Sequence, residues 1–326
     1  MSSLAVPRRG FAWRIVIIGT ALTAVMVWVV AYHAKLTSAI AQLSTLPGPS
    51  WSAILIAVVA VVASYGCSAV ALSAAAGRRL PFGRTLLVQF AAATANRVTP
   101  GGVGGMAVNA RYLRTQELSS GTVGAALSLS AMAHIGIATI GVLAVGPRIT
   151  KLPLAHSLLT ARLHGVPVIV AVLIAVPLVT WWLARAARSR LRVDGRVAAA
   201  IPDARRALSS ASREPKRLAL LLAATTGVKA ANLLALLAAT WAFDGDIADW
   251  RVAVVYLVGV PVAEAIPTPG GIGGVDAVLV AGLARIGSST AGAVIAAVIV
   301  FRLLTFWAPI VPGMISAGVL RRQHAL

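Results

Sequence analysis

Long apolar runs separated by short basic loops set the pattern of this chain. Six runs, at about 13–33, 51–76, 118–145, 164–184, 217–242 and 289–320, are long enough to cross a hydrocarbon core of about 30 Å as helices. Pro309 and Pro312 predict a bend near the end of the last run, since proline removes an N–H and crowds the preceding turn. Two more apolar regions, 85–116 and 251–286, are each split by one heptapeptide. It reads Thr99-Pro100-Gly101-Gly102-Val103-Gly104-Gly105 in the first and Thr268-Pro269-Gly270-Gly271-Ile272-Gly273-Gly274 in the second, differing only by Val for Ile. The halves of each region run about 14 to 16 residues, roughly 21–24 Å as helix, short of the bilayer core. Each region therefore reads as a broken-helix hairpin that enters and leaves by the same side, with two tilted full spans as the alternative.

Composition agrees with a membrane solvent. Hydrophobic residues make up 59% of the 326, charged residues only 12%, and the mean hydropathy is +0.87. A soluble domain of this length would lack polar cover. The fold class expected is thus an all-α integral membrane protein, with about six spanning helices and two re-entrant or broken-helix hairpins in one transmembrane domain over 1–326. The net charge of +20 sits in loops beside the spans, which points to topology and anionic headgroups rather than to nucleic acid. Cys67 is the sole cysteine, so disulfide frameworks and multi-cysteine metal sites are excluded. The stretch from Trp13 to Tyr32 is longer than a signal-peptide core and reads as a retained first span.

Orientation follows from the basic residues. Arg8, Arg9 and Arg14, then Arg78, Arg79 and Arg84, then Arg111 and Arg114, the dense run from Arg185 to Arg217, and finally Arg321 and Arg322 all fall on one side if both hairpins are re-entrant. By the positive-inside rule that side is the cytoplasm of a cell membrane, with both termini cytoplasmic. The acidic turn Asp244-Gly245-Asp246-Ile247-Ala248-Asp249 falls outside. The first hairpin then starts from inside and the second from outside, an inverted-topology repeat of about 51–184 and 217–320, joined by a basic cytoplasmic loop at 185–216. With a one-residue slip, Thr122 aligns with Thr290 and His134 falls opposite Arg302. The linker reads as a solvated topology signal, the rival being an amphipathic surface helix.

The heptads carry the candidate chemistry. Proline stops a helix, and the glycines admit φ values closed to other residues and a close approach of ligand. Backbone groups freed within hydrocarbon need protein or a wet cavity, and the helix that follows aims its positive end at that space, which suits an anion. Candidate binding positions are therefore Thr99, Pro100, Gly101, Gly102, Gly104 and Gly105 with Pro269, Gly270, Gly271, Gly273 and Gly274. The competing reading makes these glycines tight helix contacts. Ionisable residues at membrane depth join the set: Arg97 with Asn96, Glu264, Asp276, Arg302, and Lys229 with Asn232 on the same helix face. Glu264 or Asp276 is expected to pair with Arg302, leaving Arg97 and Lys229 for an anion. The competing roles are a structural salt bridge for Arg302 and snorkelling to the membrane edge for Arg97. His134, alone on an apolar face, reads as a hydrogen-bonded packing residue. Paired catalytic carboxylates and metalloprotease, serine-hydrolase or P-loop motifs are absent, so neither an enzyme nor a bound cofactor is expected.

The sequence Pro267-Thr268-Pro269-Gly270-Gly271-Ile272-Gly273-Gly274-Val275-Asp276, with Ala281 to Gly287 and Phe301-Arg302-Leu303-Leu304-Thr305-Phe306-Trp307, resembles the membrane domain of the lysylphosphatidylglycerol synthase/flippase family. Pro100 to Gly105, followed by Ala110-Arg111-Tyr112-Leu113-Arg114, is similar to that family's first motif, which adds Arg111 to the candidates. The resemblance spans nearly the whole chain. It implies a lipid translocase built on inverted repeats, with anionic, aminoacylated or glycosylated lipids as partners, a homodimer as a further assembly, and no nucleic acid. Met106 and Asn109 stand where the family's first motif has an acidic and then a basic residue, and Asp276 replaces its usual Glu. The sequence contains no aminoacyl-transferase domain, so synthesis of the lipid is not expected of it. Rival functions are a secondary transporter of a small anionic solute and a non-transporting accessory subunit of a lipid-modifying enzyme.

Overall fold

Among the described residues, four helices are long and apolar enough to cross a membrane: Trp51–Ala76, Ser120–Gly146, Pro215–Trp241 and Ala291–Arg322. The computed structural model describes residues 48–99, 103–149, 209, 214–243, 247–264, 271, 273–286 and 290–323, and among them there is no strand. The four long helices match four of the six expected spans. The other two, at 13–33 and 164–184, lie outside the described residues, as does most of the 185–216 linker and the turn residues Asp244 and Asp246. Leu55, Val59 and Val62 on the first of these helices, Ile135, Ile140 and Leu143 on the second, and Val311, Met314 and Ile315 on the fourth stand exposed. Rows of bare large apolar side chains on spanning-length helices are the surface of a protein solvated by lipid.

Two helices form the axis. α1 (Trp51–Ala76) and α5 (Pro215–Trp241) lie antiparallel. At one end the Ser50 N–H donates to Ala242 O at 3.0 Å, and at the other Arg217 donates from Nε to Ala74 O (2.7 Å) and from Nη2 to Ala75 O (2.8 Å). In between, a Cβ on Gly227 would stand 2.8 Å from Cys67 Sγ, so the glycine lets the backbones close. Arg217 also completes the cap of α1. Gly77 takes the left-handed conformation (φ 66°), its N–H returns to Ala74 O, and the guanidinium satisfies carbonyls that the helix end leaves bare.

Both heptad regions fold as antiparallel helical hairpins. In the first, α2 (Phe82–Val98) returns as α3 (Val103–Thr115). Thr85 donates to Pro81 O and accepts from the Tyr112 hydroxyl at 3.0 Å; Gln89 Nε2 donates to Asn109 Oδ1 at 3.2 Å; the Gly105 N–H donates to Asn96 Oδ1. In the second, α6 (Asp249–Val254) passes through a π-helical turn (Val255–Gly259) into α7 (Val260–Glu264), and the chain returns as α8 (Gly274–Ile286). Arg251 Nη1 donates to Ile286 O at 2.6 Å, and a Cβ on Gly282 would meet Val255 Cγ1 at 2.7 Å. The bases lie at opposite ends of the α1–α5 pair. Arg78 at the end of α1 holds Gln116 O at 2.6 Å, while Trp241 at the end of α5 donates to Asp249 Oδ1 at 2.9 Å.

Each hairpin is followed by a long helix with a hydroxyl cap. For α4 (Ser120–Ile149) the Thr122 N–H donates to Ser119 Oγ, and for α9 (Ala291–Arg302) the Ala293 N–H donates to Thr290 Oγ1. The caps put Ser119 opposite Thr290, which corrects the register expected from the sequence. By it Ala131, not His134, stands opposite Arg302. The cause is the second turn, whose returning helix starts at Gly274 where the first starts at Val103, two places later in the heptad. His134 donates from Nδ1 to Ser130 O at 2.9 Å, the packing role expected of it.

α9 runs through a second π-helical turn (Leu303–Trp307) into α10 (Ile310–Arg322). Both π turns end two residues before a proline, Pro261 and Pro309. A helical proline donates nothing to the carbonyl four residues back and its ring crowds that carbonyl, so the backbone widens by one residue ahead of it. α10 then crosses α2 closely, where a Cβ on Gly313 would run into Phe90 O and the Thr94 side chain.

Candidate substrate-binding cavity

A cavity of about 570 Å³ is lined by residues from both hairpins and from the spans between and after them. α2 contributes Asn96 and Arg97; α5 contributes Val228, Lys229 and Asn232; the second hairpin adds Tyr256, Glu264 and Gly271; the last span adds Arg302, Thr305 and Phe306. Thus Asn96, Arg97, Lys229, Glu264, Gly271 and Arg302, from separate parts of the sequence, line one cavity.

Arg97 sits in the last turn of α2, a favourable place for a cation at a helix C-terminus. Its Nη2 donates to Thr305 O at 2.7 Å and, at 3.4 Å, to the Tyr65 hydroxyl, while its guanidinium lies 5.2 Å from the Phe306 ring centre. The Thr305 carbonyl is available for a simple reason: its helical donor would be the N–H four residues on, and that residue is Pro309. Arg97 replaces the missing donor and ties the first hairpin tip to the last span. Its Nε and Nη1 are buried with no hydrogen-bond partner among the described residues. Arg97 therefore does not snorkel to an edge.

The charge of Arg302 is neutralised. Arg302 Nε lies 2.7 Å from Asp276 Oδ1, with Nη2 to Oδ2 at 3.5 Å, and the side chains are 13% and 25% exposed. Of the two partners left open by the sequence, Asp276 is the one Arg302 takes. Asp276 is also the third residue of α8, and its Oδ2 accepts the Gly273 N–H at 2.9 Å, the returning half of a capping box. The Arg302 guanidinium lies 4.7 Å from the Phe306 ring centre, so both arginines lie near one aromatic ring. Lys229, midway along α5, makes no salt bridge or hydrogen bond among the described residues, and neither does Glu264. With Arg302 offset by Asp276, the lining keeps Arg97, Lys229 and Glu264 as its other charged side chains among the described residues.

The heptad glycines divide. Pro100, Gly101, Gly102, Pro269 and Gly270 lie outside the described residues. The Gly104 N–H donates to Thr99 Oγ1 at 2.8 Å and the Gly105 N–H to Asn96 Oδ1 at 2.5 Å. These two amides were expected to face an anion; instead side chains of α2 and its C-cap take them, because the tip turns tightly enough for Thr99 and Asn96 to cap α3. A Cβ on Gly105 would lie 2.6 Å from the Asn96 amide, so close packing accounts for this glycine. In the second heptad Gly271 (φ 69°) and Gly273 (φ 82°) occupy the left-handed region, Gly271 on the cavity wall; the Gly273 N–H is held by Asp276. Gly274 opens α8. Arg111 is exposed beside Tyr112, toward the base of the first hairpin, and the fold does not bring it to the cavity.

Sequence reading missed Tyr65, Tyr256, Thr305 and Phe306. For Thr305 a signal existed, since Pro309 four residues later marks its carbonyl as lacking a helical donor. Asn109, standing where the related family has a basic residue, is the acceptor for Gln89 within the hairpin. No group of three or more metal-ligating side chains occurs among the described residues.

Residues 16–313 match the family described as lysylphosphatidylglycerol synthase TM region. No curated protein matches the chain.

Proposed function

The chain belongs to the lysylphosphatidylglycerol synthase membrane-region family, a multi-pass membrane protein related to lipid modification and flipping, and on that premise we propose that it is a lipid translocase. It moves a lipid with an anionic, aminoacylated or glycosylated headgroup between the leaflets of the cell membrane, and it does no covalent chemistry on that lipid. The observation that carries this reading is the charged cavity lined by residues of two hairpins rooted at opposite ends of an antiparallel helix pair. A span, a hairpin and a span occur in each half, and the corresponding spans α1 and α5 run antiparallel, which supports an inverted-topology repeat with re-entrant hairpins. In such an arrangement each hairpin gates the central site from its own side. The basic ends of α1 and α10 then face the cytoplasm.

The test is movement of an acyl-labelled phospholipid across vesicles reconstituted with the purified chain, read by quenching of the outer leaflet. Wild type is expected to move lipid faster than empty vesicles. Ala93→Phe, which puts a ring into the cavity from α2 without touching a charge, is expected to reduce that movement to the empty-vesicle rate. Wild-type vesicles no faster than empty ones would remove the proposal.

A further inference from the structure

We propose that the two hairpins are unequal gates. The second opens by bending at its π-helical turn, Val255–Gly259, whereas the first has no bend of its own and moves only as one body with the last span. This rests on the translocase reading above and goes beyond it by naming the element that moves and the place where it bends.

The first hairpin is bonded across its length. Its legs share the Thr85–Tyr112 hydroxyl pair near the base, the Gln89–Asn109 bond midway, and the bonds of Thr99 and Asn96 to the Gly104 and Gly105 amides at the tip. Directional bonds at successive levels hold the legs at one spacing and one register. α2 runs unbroken from Phe82 to Val98 and is fastened to its surroundings. The Tyr65 ring of α1 stacks on Phe90 with centres 4.2 Å apart, Thr94 Oγ1 donates to Pro309 O at 3.4 Å, and Arg97 holds Thr305 O. Gly313 of α10 packs on the Phe90 carbonyl with no room for a Cβ. Motion of this hairpin therefore carries the last span with it.

The second hairpin is built the other way. Among the described residues, the hydrogen bond that joins its legs is at the base, from Arg251 Nη1 to Ile286 O. Above it the legs meet through apolar contacts: a Cβ on Gly282 would meet Val255, and one on Gly259 would run into Val278. Such contacts are non-directional and let one leg tilt on the other. The rising leg is also interrupted, because the π turn separates α6 from α7 and Pro261 can give no N–H to Leu257 O. Tyr256, in the turn, is buried and meets Phe301 edge-on at 6.4 Å, which fixes the leg up to that point. Beyond the turn, the polar fastening to another element among the described residues is the Arg302–Asp276 ion pair at the start of α8. A hinge at one end and a breakable catch at the other make α7 and the start of α8 the moving part.

The experiment puts pairs of spin labels on the purified full chain in detergent, in a Cys67→Ser background, and measures their distances by pulsed dipolar spectroscopy. One pair joins Ala277 on α8 to Ile315 on α10, the other Ala107 on α3 to the same Ile315; all three positions are exposed. The α8 pair is expected to show two distances about 5 Å or more apart, and the α3 pair one. Asp276→Asn releases the catch and should raise the minor α8 distance about threefold. Pro261→Ala restores an N–H to Leu257 O, lets the leg run as one α-helix and should merge the two distances. In reconstituted vesicles the same variant should slow lipid movement about tenfold while its unfolding midpoint stays level or rises, a split that a purely structural proline would not produce.

A single α8 distance in both wild type and Asp276→Asn overturns the hinge, and two distances for the α3 pair overturn the inequality of the gates. Folded Pro261→Ala protein that keeps both α8 distances overturns the assignment of the bend to the π turn. Wild-type vesicles no faster than empty ones sink the translocase reading, whereas the label distances decide the hinge by themselves.

Discussion

Removing the Arg302 guanidinium tests how the second hairpin tip is held. Breaking a buried ion pair at one partner costs roughly 3–5 kcal/mol when the other charge is left bare. Here the side chains are 13% and 25% exposed, and Asp276 keeps the Gly273 N–H as a donor, so the orphaned carboxylate is partly served. The pair loss is then about 2–3 kcal/mol. The guanidinium near Phe306 adds about 0.5–1 kcal/mol, for a total near 3 kcal/mol in Arg302→Ala. The assay is unfolding of purified protein in mixed micelles, followed by tryptophan fluorescence, for Arg302→Ala, Asp276→Ala and the double variant. The double should be less destabilised than the sum of the singles by about 2 kcal/mol, because each single leaves the same partner stranded. A coupling under about 0.5 kcal/mol would refute the reasoning, since the contact would then be bridging solvent-exposed charges and not holding the tip.

Three other outcomes follow from the same geometry. Cysteines at Arg79 and Ala248, both exposed, in a Cys67→Ser background should react with an impermeant thiol reagent from opposite sides of the membrane; labelling from one side removes the opposed hairpins. Gly271→Ala should cost about 1–2 kcal/mol, because its φ of 69° is left-handed and the new Cβ would stand 2.9 Å from Val275 Cγ2; an unchanged unfolding midpoint would show that the turn relaxes freely. Pro309→Ala supplies Thr305 O with a helical N–H, so the last span should gain up to about 3 kcal/mol while lipid movement falls as Arg97 loses its anchor; stability gained at full transport would separate the anchor from the activity.

The elements were legible because hydrophobic length is a local property. The uninterrupted run from Trp51 to Ala76 and the Thr-Pro-Gly-Gly breaks each mark themselves without reference to the rest of the chain. Pairing was less so. Arg302 faces two carboxylates in sequence, and only the capping position of Asp276 at the third residue of α8 aims its oxygens both at Gly273 and at Arg302. Arg111 misled for a related reason. Motif position placed it near the heptad, but nearly two turns of helix carry it down to the Tyr112–Thr85 contact at the hairpin base. The repeat register slipped because similar letters, Thr122 and Thr290, do not hold equivalent caps.

The heptads invite the view that glycine backbone binds the ligand, but the Gly104, Gly105 and Gly273 amides are already held by side chains. A helix N-terminus attracts an anion only while its amides are unclaimed. Thr99 and Asn96 close α3, and Asp276 closes α8, so both tips reach the cavity with those amides already satisfied. What the glycines supply is shape: left-handed φ at Gly271 and Gly273, and room at Gly104 and Gly105 for α3 to turn back against α2. That tight turn keeps Arg97 at the end of α2 within reach of a carbonyl that Pro309 leaves without a donor. The repeated motif therefore positions side chains around the cavity, where Arg97, Lys229 and Glu264 bring charge to its lining.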